Sequence, residues 1–226
     1  MLNYVYSKLN SKSNVIITFL DLKKAFDSVN LDILLCKLKY YGMNDTAMKW
    51  FTSYLKGRSQ CVRIDEHISS PLPVLAGVPQ GSVLGPTLFN IFINDFQYAH
   101  TSTSFQYADD TTILTESPDF DILQYKTNQT LLSTYKWLSA NLLALNLLKT
   151  VYMLITNKSR VNLNLMIKLN NNVLTQVNSY KSLGLIIDDK LNFSLHCTKV
   201  CNSLAKINFM LFKNKNFLDK KSRMML

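Results

Sequence analysis

The sequence predicts an α+β domain whose sheet is mainly antiparallel and packed on helices. Three observations carry this expectation. Short β-branched and aromatic runs are interspersed with apolar residues at helical spacing. The strand-like runs fall mostly into hairpins rather than strand-helix-strand crossovers. Hydrophobic residues make up 47% of the 226-residue chain, enough for a buried core in one large domain or two small ones, while six Gly and five Pro leave little for flexible linkers.

Each element follows from its own residues. Residues 15–21 form a β-branched and aromatic run, read as a buried strand that ends on the carboxylate Asp21. Leu31, Leu34, Leu35 and Leu38 recur at helical spacing after Asn30, and Gly42 stops that helix. A second helix starts near Asn44, carries Met48, Trp50, Phe51, Tyr54 and Leu55, and ends by Gly57. Residues 60–64 read as a strand, and Pro71, Pro73, Gly77, Pro79 and Gly81 form the stretch densest in turn residues. Leu88, Ile91, Phe92 and Asp95 follow on a helix whose first turn tolerates Pro86.

Residues 104–107 and 111–114 are strands flanking Ala108-Asp109-Asp110, a hairpin with acidic residues at its tip. A long helix is expected over residues 120–146, then a strand over 151–156. Residues 165–169, 173–177 and 180–187 read as strands, with Asn170-Asn171-Asn172 as a turn, and residues 194–212 as a helix before a basic tail.

Lys and Arg number 25 against 15 Asp and Glu, a formal charge of +10 that favours polyanionic partners, nucleic acid or an anionic membrane. The sequence offers no apolar run of the roughly 18–20 residues a membrane span needs, so a soluble intracellular protein is expected. Cys36, Cys61, Cys197 and Cys201 include no C-x-x-C pair, which argues for reduced thiols. His196, Cys197 and Cys201 share a helical stretch, but helix-face packing is the better reading of so small a ligand set.

The chemistry-bearing pattern is carboxylate. Asp21 ends one strand, and Asp109 and Asp110 stand at a hairpin tip, so three carboxylates at strand ends can converge. Hard oxygen donors suit Mg2+ or Mn2+, and two such ions about 3.5–4 Å apart can activate an attacking oxygen and stabilise a leaving one in phosphoryl transfer. A lone Asp at a strand end is as readily a turn former or cap. An adjacent pair of like charges gains more from a shared cation.

Three stretches resemble motifs A, B and C of reverse transcriptases: Phe19-Leu20-Asp21-Leu22-Lys23-Lys24-Ala25-Phe26-Asp27, Gly77-Val78-Pro79-Gln80-Gly81-Ser82-Val83-Leu84-Gly85-Pro86, and Tyr107-Ala108-Asp109-Asp110. In detail they resemble the enzymes of non-LTR, LINE-type, jockey-like retrotransposons. Leu145-Asn146 with Lys149-Thr150 resembles motif D, and residues 180–188, centred on Leu183-Gly184, resemble the primer-grip motif E.

The resemblance implies a polymerase palm over residues 1–190 and a helical thumb stub over 191–226. It implies an RNA-directed DNA polymerase that transfers deoxynucleotides to a primer 3′-OH with two Mg2+ ions held by Asp21, Asp109 and Asp110. Its partners would be an RNA template, a DNA primer and deoxynucleoside triphosphates, with no membrane. Phe26 would be a gate against a ribose 2′-OH, where a plain core Phe is the alternative. Gln80 and Gly81 would lie against nucleotide and template, the Gly permitting close backbone approach. Lys149 would protonate departing pyrophosphate, or be a solvated lysine. Leu183 and Gly184 would support the primer end, where a plain hairpin in a small sheet is the alternative. Lys199, Lys206, Lys213, Lys215, Lys220, Lys221 and Arg223 would meet phosphates, or form a solvated face.

The motif A strand starts at Val15, so the family's basic fingers region and its endonuclease are expected to be missing. That leaves a second expectation, a truncated, inactive remnant of an element with residual nucleic-acid binding. For an intact enzyme the resemblance implies target-primed synthesis on nicked chromosomal DNA in the nucleus.

Overall fold

The computed structural model describes residues 1–158, 165–213 and 217. The chain divides into two compact units, Met1–Gln176 and Val177–Leu226.

The first unit is organised around β1 (Asn14–Leu20), in which every residue is buried. A strand covered on both faces is mostly apolar, and Val15, Ile16, Ile17, Phe19 and Leu20 are, with Asn14 and Thr18 its buried polar residues. It is the centre of a five-stranded sheet ordered β11-β8-β1-β7-β6, with β6 (Thr103–Tyr107), β7 (Asp110–Ser117), β8 (Val151–Ile155) and β11 (Thr175–Gln176). Every pairing is antiparallel except β8 with β11, which is parallel. The mixed α+β class with an antiparallel-dominated sheet is therefore as the sequence predicts.

Helix α1 (Leu2–Asn10) precedes β1 and buries Val5 and Leu9. Helices α2 (Leu31–Tyr40) and α3 (Asp45–Leu55) begin at Asn30 and Asn44, whose side chains accept from the Ile33 and Ala47 N–H groups at 2.9 Å. The four leucines of α2 singled out by their spacing are its four buried residues. Helix α4 (Leu84–Ile93) carries Leu88, Phe89 and Phe92 into a core shared with α2, Ala25, Val29 and Val78. Asp95 falls on a 3-10 turn (Asn94–Tyr98) rather than on the helix itself. Helix α5 (Phe120–Ala140) packs Leu123 and Leu131 with Ile16, Leu20 and Ile113 in a second core.

Several boundaries differ from expectation for identifiable reasons. Residues 60–64 are not one strand. Four two-residue strands, β2 (Ser59–Gln60), β3 (Arg63–Ile64), β4 (His67–Ile68) and β5 (Leu72–Pro73), pair as β2 with β5 and β3 with β4 in a wholly exposed hairpin. Helix α5 stops at Ala140, not at residue 146. Leu142 turns left-handed (φ +57), its N–H donating to the Ser139 carbonyl and that of Leu143 to the Leu138 carbonyl, the pair of hydrogen bonds that closes a helix C-terminus. The strands expected over 165–169 and 173–177 shrink to β9 (Lys168–Leu169), β10 (Asn172–Val173) and β11, while the expected turn is present, with Asn170 at φ +53.

In the second unit β12 (Ser179–Ser182) and β13 (Leu185–Asp188) form a hairpin turning at Leu183-Gly184, the alternative to a single strand over 180–187. Helix α6 (Ser194–Lys213) follows. Within this unit the hairpin is fastened to the start of α6. Asp188 accepts from the backbone N–H of Lys190, Asn192 and Phe193 at 3.1, 3.1 and 2.8 Å. Lys215, Lys220, Lys221 and Arg223 lie outside the described residues.

Candidate active site

The register of the sheet brings the acidic residues together. β1 and β7 pair down to Leu20 opposite Thr111, so one step further Asp21 comes opposite Asp110. Tyr107 pairs with Asp110 across the β6–β7 turn, which leaves Ala108 and Asp109 as the two turn residues. Ala108 adopts φ +52, a conformation that costs a non-Gly residue about 1 kcal/mol and fixes the direction of the two carboxylates after it.

Asp21 is half-buried, while Asp109 and Asp110 are exposed. Partial burial, then the charges of Asp109 and Asp21, push the Asp110 carboxyl above the usual carboxylate range. None of the ion pairs among the described residues reaches any of the three.

Asp21 is held by its backbone. Its N–H donates to Thr150 Oγ1 at 3.3 Å and its carbonyl accepts from the Asn146 N–H at 2.8 Å. The Lys23 N–H donates to the Ala144 carbonyl at 2.8 Å, and Leu22 bridges Leu145. The segment that carries Lys149 is thus fastened beside Asp21, although the Lys149 side chain is exposed.

Phe26 is half-buried, its ring stacked on Phe89 of α4 with centroids 4.4 Å apart. One face of the ring is thereby anchored in the core. The Val78 N–H donates to the Phe26 carbonyl, and Gln80 Nε2 donates to Asp27 Oδ1 at 2.7 Å, so the stretches bearing Phe26 and Gln80 lie together.

The glycines divide the work. Gly81 has φ +74 and open space where a Cβ would stand. Close approach within the protein falls instead at Gly77 and Gly85. A Cβ on Gly77 would come within 2.8 Å of the Asp27 backbone, and one on Gly85 within 2.5 Å of the Pro79 carbonyl. Ser82 Oγ donates to that same carbonyl at 2.7 Å and accepts from the Gly85 N–H at 2.9 Å, which locks the turn onto the start of α4. Leu183 and Gly184 form the tip of the β12–β13 hairpin with φ +47 and +88, and Leu183 is exposed.

Sequence reasoning missed Asp27, Arg58 and Thr150 as supports. Arg58 donates to the Leu55 and Gly77 carbonyls, both at 3.2 Å. Asp27 and Thr150 stand inside the quoted motifs, but their partners are distant in sequence and leave no local signal.

Among the described residues no three or more of His, Cys, Asp and Glu gather into a ready metal cluster, neither His196, Cys197 and Cys201 nor Asp21, Asp109 and Asp110. The three Asp instead offer hard oxygen donors whose mutual repulsion a divalent cation would relieve. That suits an ion which takes one or two protein carboxylates and the rest of its shell from elsewhere.

Facing carboxylates at the ends of adjacent antiparallel strands, beside a glycine-bearing turn and a helix, define a polymerase palm. The sequence profile of reverse transcriptase (RNA-dependent DNA polymerase) matches residues 4–187. The chain is 31% identical over 209 residues to the RNA-directed DNA polymerase from mobile element jockey of Drosophila melanogaster, covering 88% of this chain and 22% of that protein. It is equally identical over 234 residues to the jockey polymerase of Drosophila funebris, covering 98% and 25%. The chain thus spans about a quarter of the length of these relatives. Among solved structures, telomerase from Candida tropicalis in complex with a fragment of telomeric RNA superposes with a TM-score of 0.56 at 14% identity, over 85% of this chain and 33% of that one, a likeness of fold. This chain belongs to the reverse transcriptase (RNA-dependent DNA polymerase) family, on its non-LTR, LINE-type side.

Proposed function

We propose that the chain is the palm of an RNA-directed DNA polymerase that extends a DNA primer on an RNA template with deoxynucleoside triphosphates. The observation that carries this reading is the placement of Asp21 opposite Asp110, with Asp109 beside them and no cation paired to any of the three among the described residues. Asp21, Asp109 and Asp110 would hold Mg2+, which when bound supplies activation of the primer 3′-OH and neutralisation of the leaving pyrophosphate.

The remaining roles belong to the chain itself. The Phe26 ring, steadied by Phe89, would exclude a ribose 2′-OH. Gln80 and Gly81 would border the nucleotide and template. Lys149 would give a proton to departing pyrophosphate. Leu183 and Gly184 would touch the primer end. Lys199, Lys206 and Lys213, exposed at seven-residue intervals along one side of α6, would meet backbone phosphates. Target-primed synthesis would set this chemistry in the nucleus.

Primer extension on poly(rA)/oligo(dT) with Mg2+ tests the reading. Metal-dependent extension that disappears in Asp109→Ala supports it; extension that survives Asp109→Ala, or none by the unaltered chain, overturns it.

A further inference from the structure

The turn that carries Gln80 is held against the segment after β1 by contacts that converge on Asp27. The Val78 N–H donates to the Phe26 carbonyl at 2.9 Å and the Gly77 N–H to the Val29 carbonyl at 2.8 Å, so backbone bonds bracket Asp27 on both sides. Gly77 makes this approach possible, since a Cβ there would lie 2.8 Å from Asp27 Cα. Arg58 fixes the Gly77 carbonyl from behind at 3.2 Å. At the end of this clamp Gln80 Nε2 donates to Asp27 Oδ1 at 2.7 Å, between two exposed side chains.

An exposed glutamine without such a partner samples several rotamers, and its amide can present either its oxygen or its NH2 group. An ionised carboxylate only accepts, so it engages the NH2 end alone. The Gln80 oxygen and its second N–H are then left for another partner. The pair is charge-assisted, which makes it stronger than a neutral amide contact.

We propose that Asp27 is a positioning residue whose carboxylate sets the amide orientation of Gln80, so that Gln80 meets the incoming nucleotide with its carbonyl oxygen and one N–H already aimed. The proposal rests on the polymerase reading of the site and adds a specificity-setting residue to it. Asp27→Asn has nearly the same shape but both donates and accepts, so it permits either amide orientation. Asp27→Glu keeps an acceptor-only group on a longer stem.

Two measurements on the 226-residue chain separate this inference from the reading beneath it. In nitrogen-15 NMR, the Gln80 side-chain NH2 pair is identified by its loss in Gln80→Glu. It is expected to move or double in Asp27→Asn and to stay near its original position in Asp27→Glu. In primer extension, Asp27→Asn is expected to raise KM for the deoxynucleotide about tenfold with kcat within about twofold. Asp27→Glu should recover most of that loss, and Asp27→Asn should add nothing in a Gln80→Ala background.

An NH2 pair indifferent to Asp27→Asn, or losses that add to those of Gln80→Ala, would overturn the proposal. If the unaltered chain extends no primer, the polymerase reading falls, while the NH2 resonances still decide whether Asp27 orients Gln80.

Discussion

Strand β7 carries a carboxylate at each end, and the fold treats the two in opposite ways. At one end Glu116 accepts from Lys8 Nζ at 2.6 Å and from the Tyr4 hydroxyl, both on α1. Burial opposes its ionisation, but these bonds and the Lys8 charge together hold the carboxyl below its usual range. At the other end burial and the charges of Asp109 and Asp21 raise the Asp110 carboxyl. Glu116 is neutralised by its own chain as a structural clasp. Asp110 is left among like charges, which folding alone would not favour, and that unrelieved repulsion marks the end of the strand arranged for something outside the protein.

The widest test of this contrast removes charge from the Asp end. Asp21→Asn, Asp109→Asn or Asp110→Asn is expected to cut primer extension by about 10³-fold or more while the circular dichroism spectrum is kept. For Asp110→Asn a second outcome has the opposite sign. The folded-state pKa lies above the unfolded value, so the stability Asp110 contributes is present in acid and is lost as pH rises through the folded pKa. Above that pH the neutral variant should melt slightly higher, by roughly 1 °C, and the gain should vanish in acid. A variant that melts lower at pH 7 would break the contrast.

Gly77→Ala acts on the segment after β1 without removing any charge. The new methyl group meets the Asp27 backbone at φ +91, and a loss of about 2–3 kcal/mol is expected in urea unfolding.

Glu116→Gln probes the opposite end. It should lower stability by about 1 kcal/mol at pH 7. The folded pKa of Glu116 lies below its unfolded value, so its contribution is present above the unfolded pKa and lost as pH falls through the folded one. Thermal melts of the unaltered chain should therefore fall more steeply in acid than those of the variant, with primer extension unaffected by the change.

The smallest effect is expected of Ala108→Gly, which relieves the left-handed backbone at the hairpin tip. A gain of about 0.5 kcal/mol in chemical unfolding would show that strain as well as charge is concentrated beside Asp109 and Asp110.

What the sequence disclosed follows from where burial imposes a period. The runs of β1, α2 and α4 are legible because whole faces of them are apolar, and the Asp109-Asp110 hairpin because strand patterns flank it. The β2–β5 excursion was illegible because it is exposed throughout and nothing selects its pattern. The end of α5 was missed because its left-handed terminator is Leu142, where a Gly or Asn would have signalled it. The meeting of Asp21 with Asp110 could be suspected from strand ends, yet its register needed the paired strands. The links of Asp27 to Gln80 and of Asp21 to Asn146 and Thr150 join residues far apart in the chain, and no local rule reports them.

The central place of β1 also bears on how the protein is made. Its first partner, β7, ends at Ser117 and its second, β8, at Ile155. At about 5–20 residues per second, a ribosome needs on the order of 10 s to deliver both after β1 itself. Until β7 arrives this buried strand waits with both edges open, and until β8 arrives with one, exposed to pairing with other nascent chains. The clasp on Asp21 needs Asn146 and Thr150, so the acidic centre is completed only after most of the first unit has been synthesised. Any shortfall of chaperone during translation should therefore be felt first as aggregation through β1, before the acidic centre is assembled.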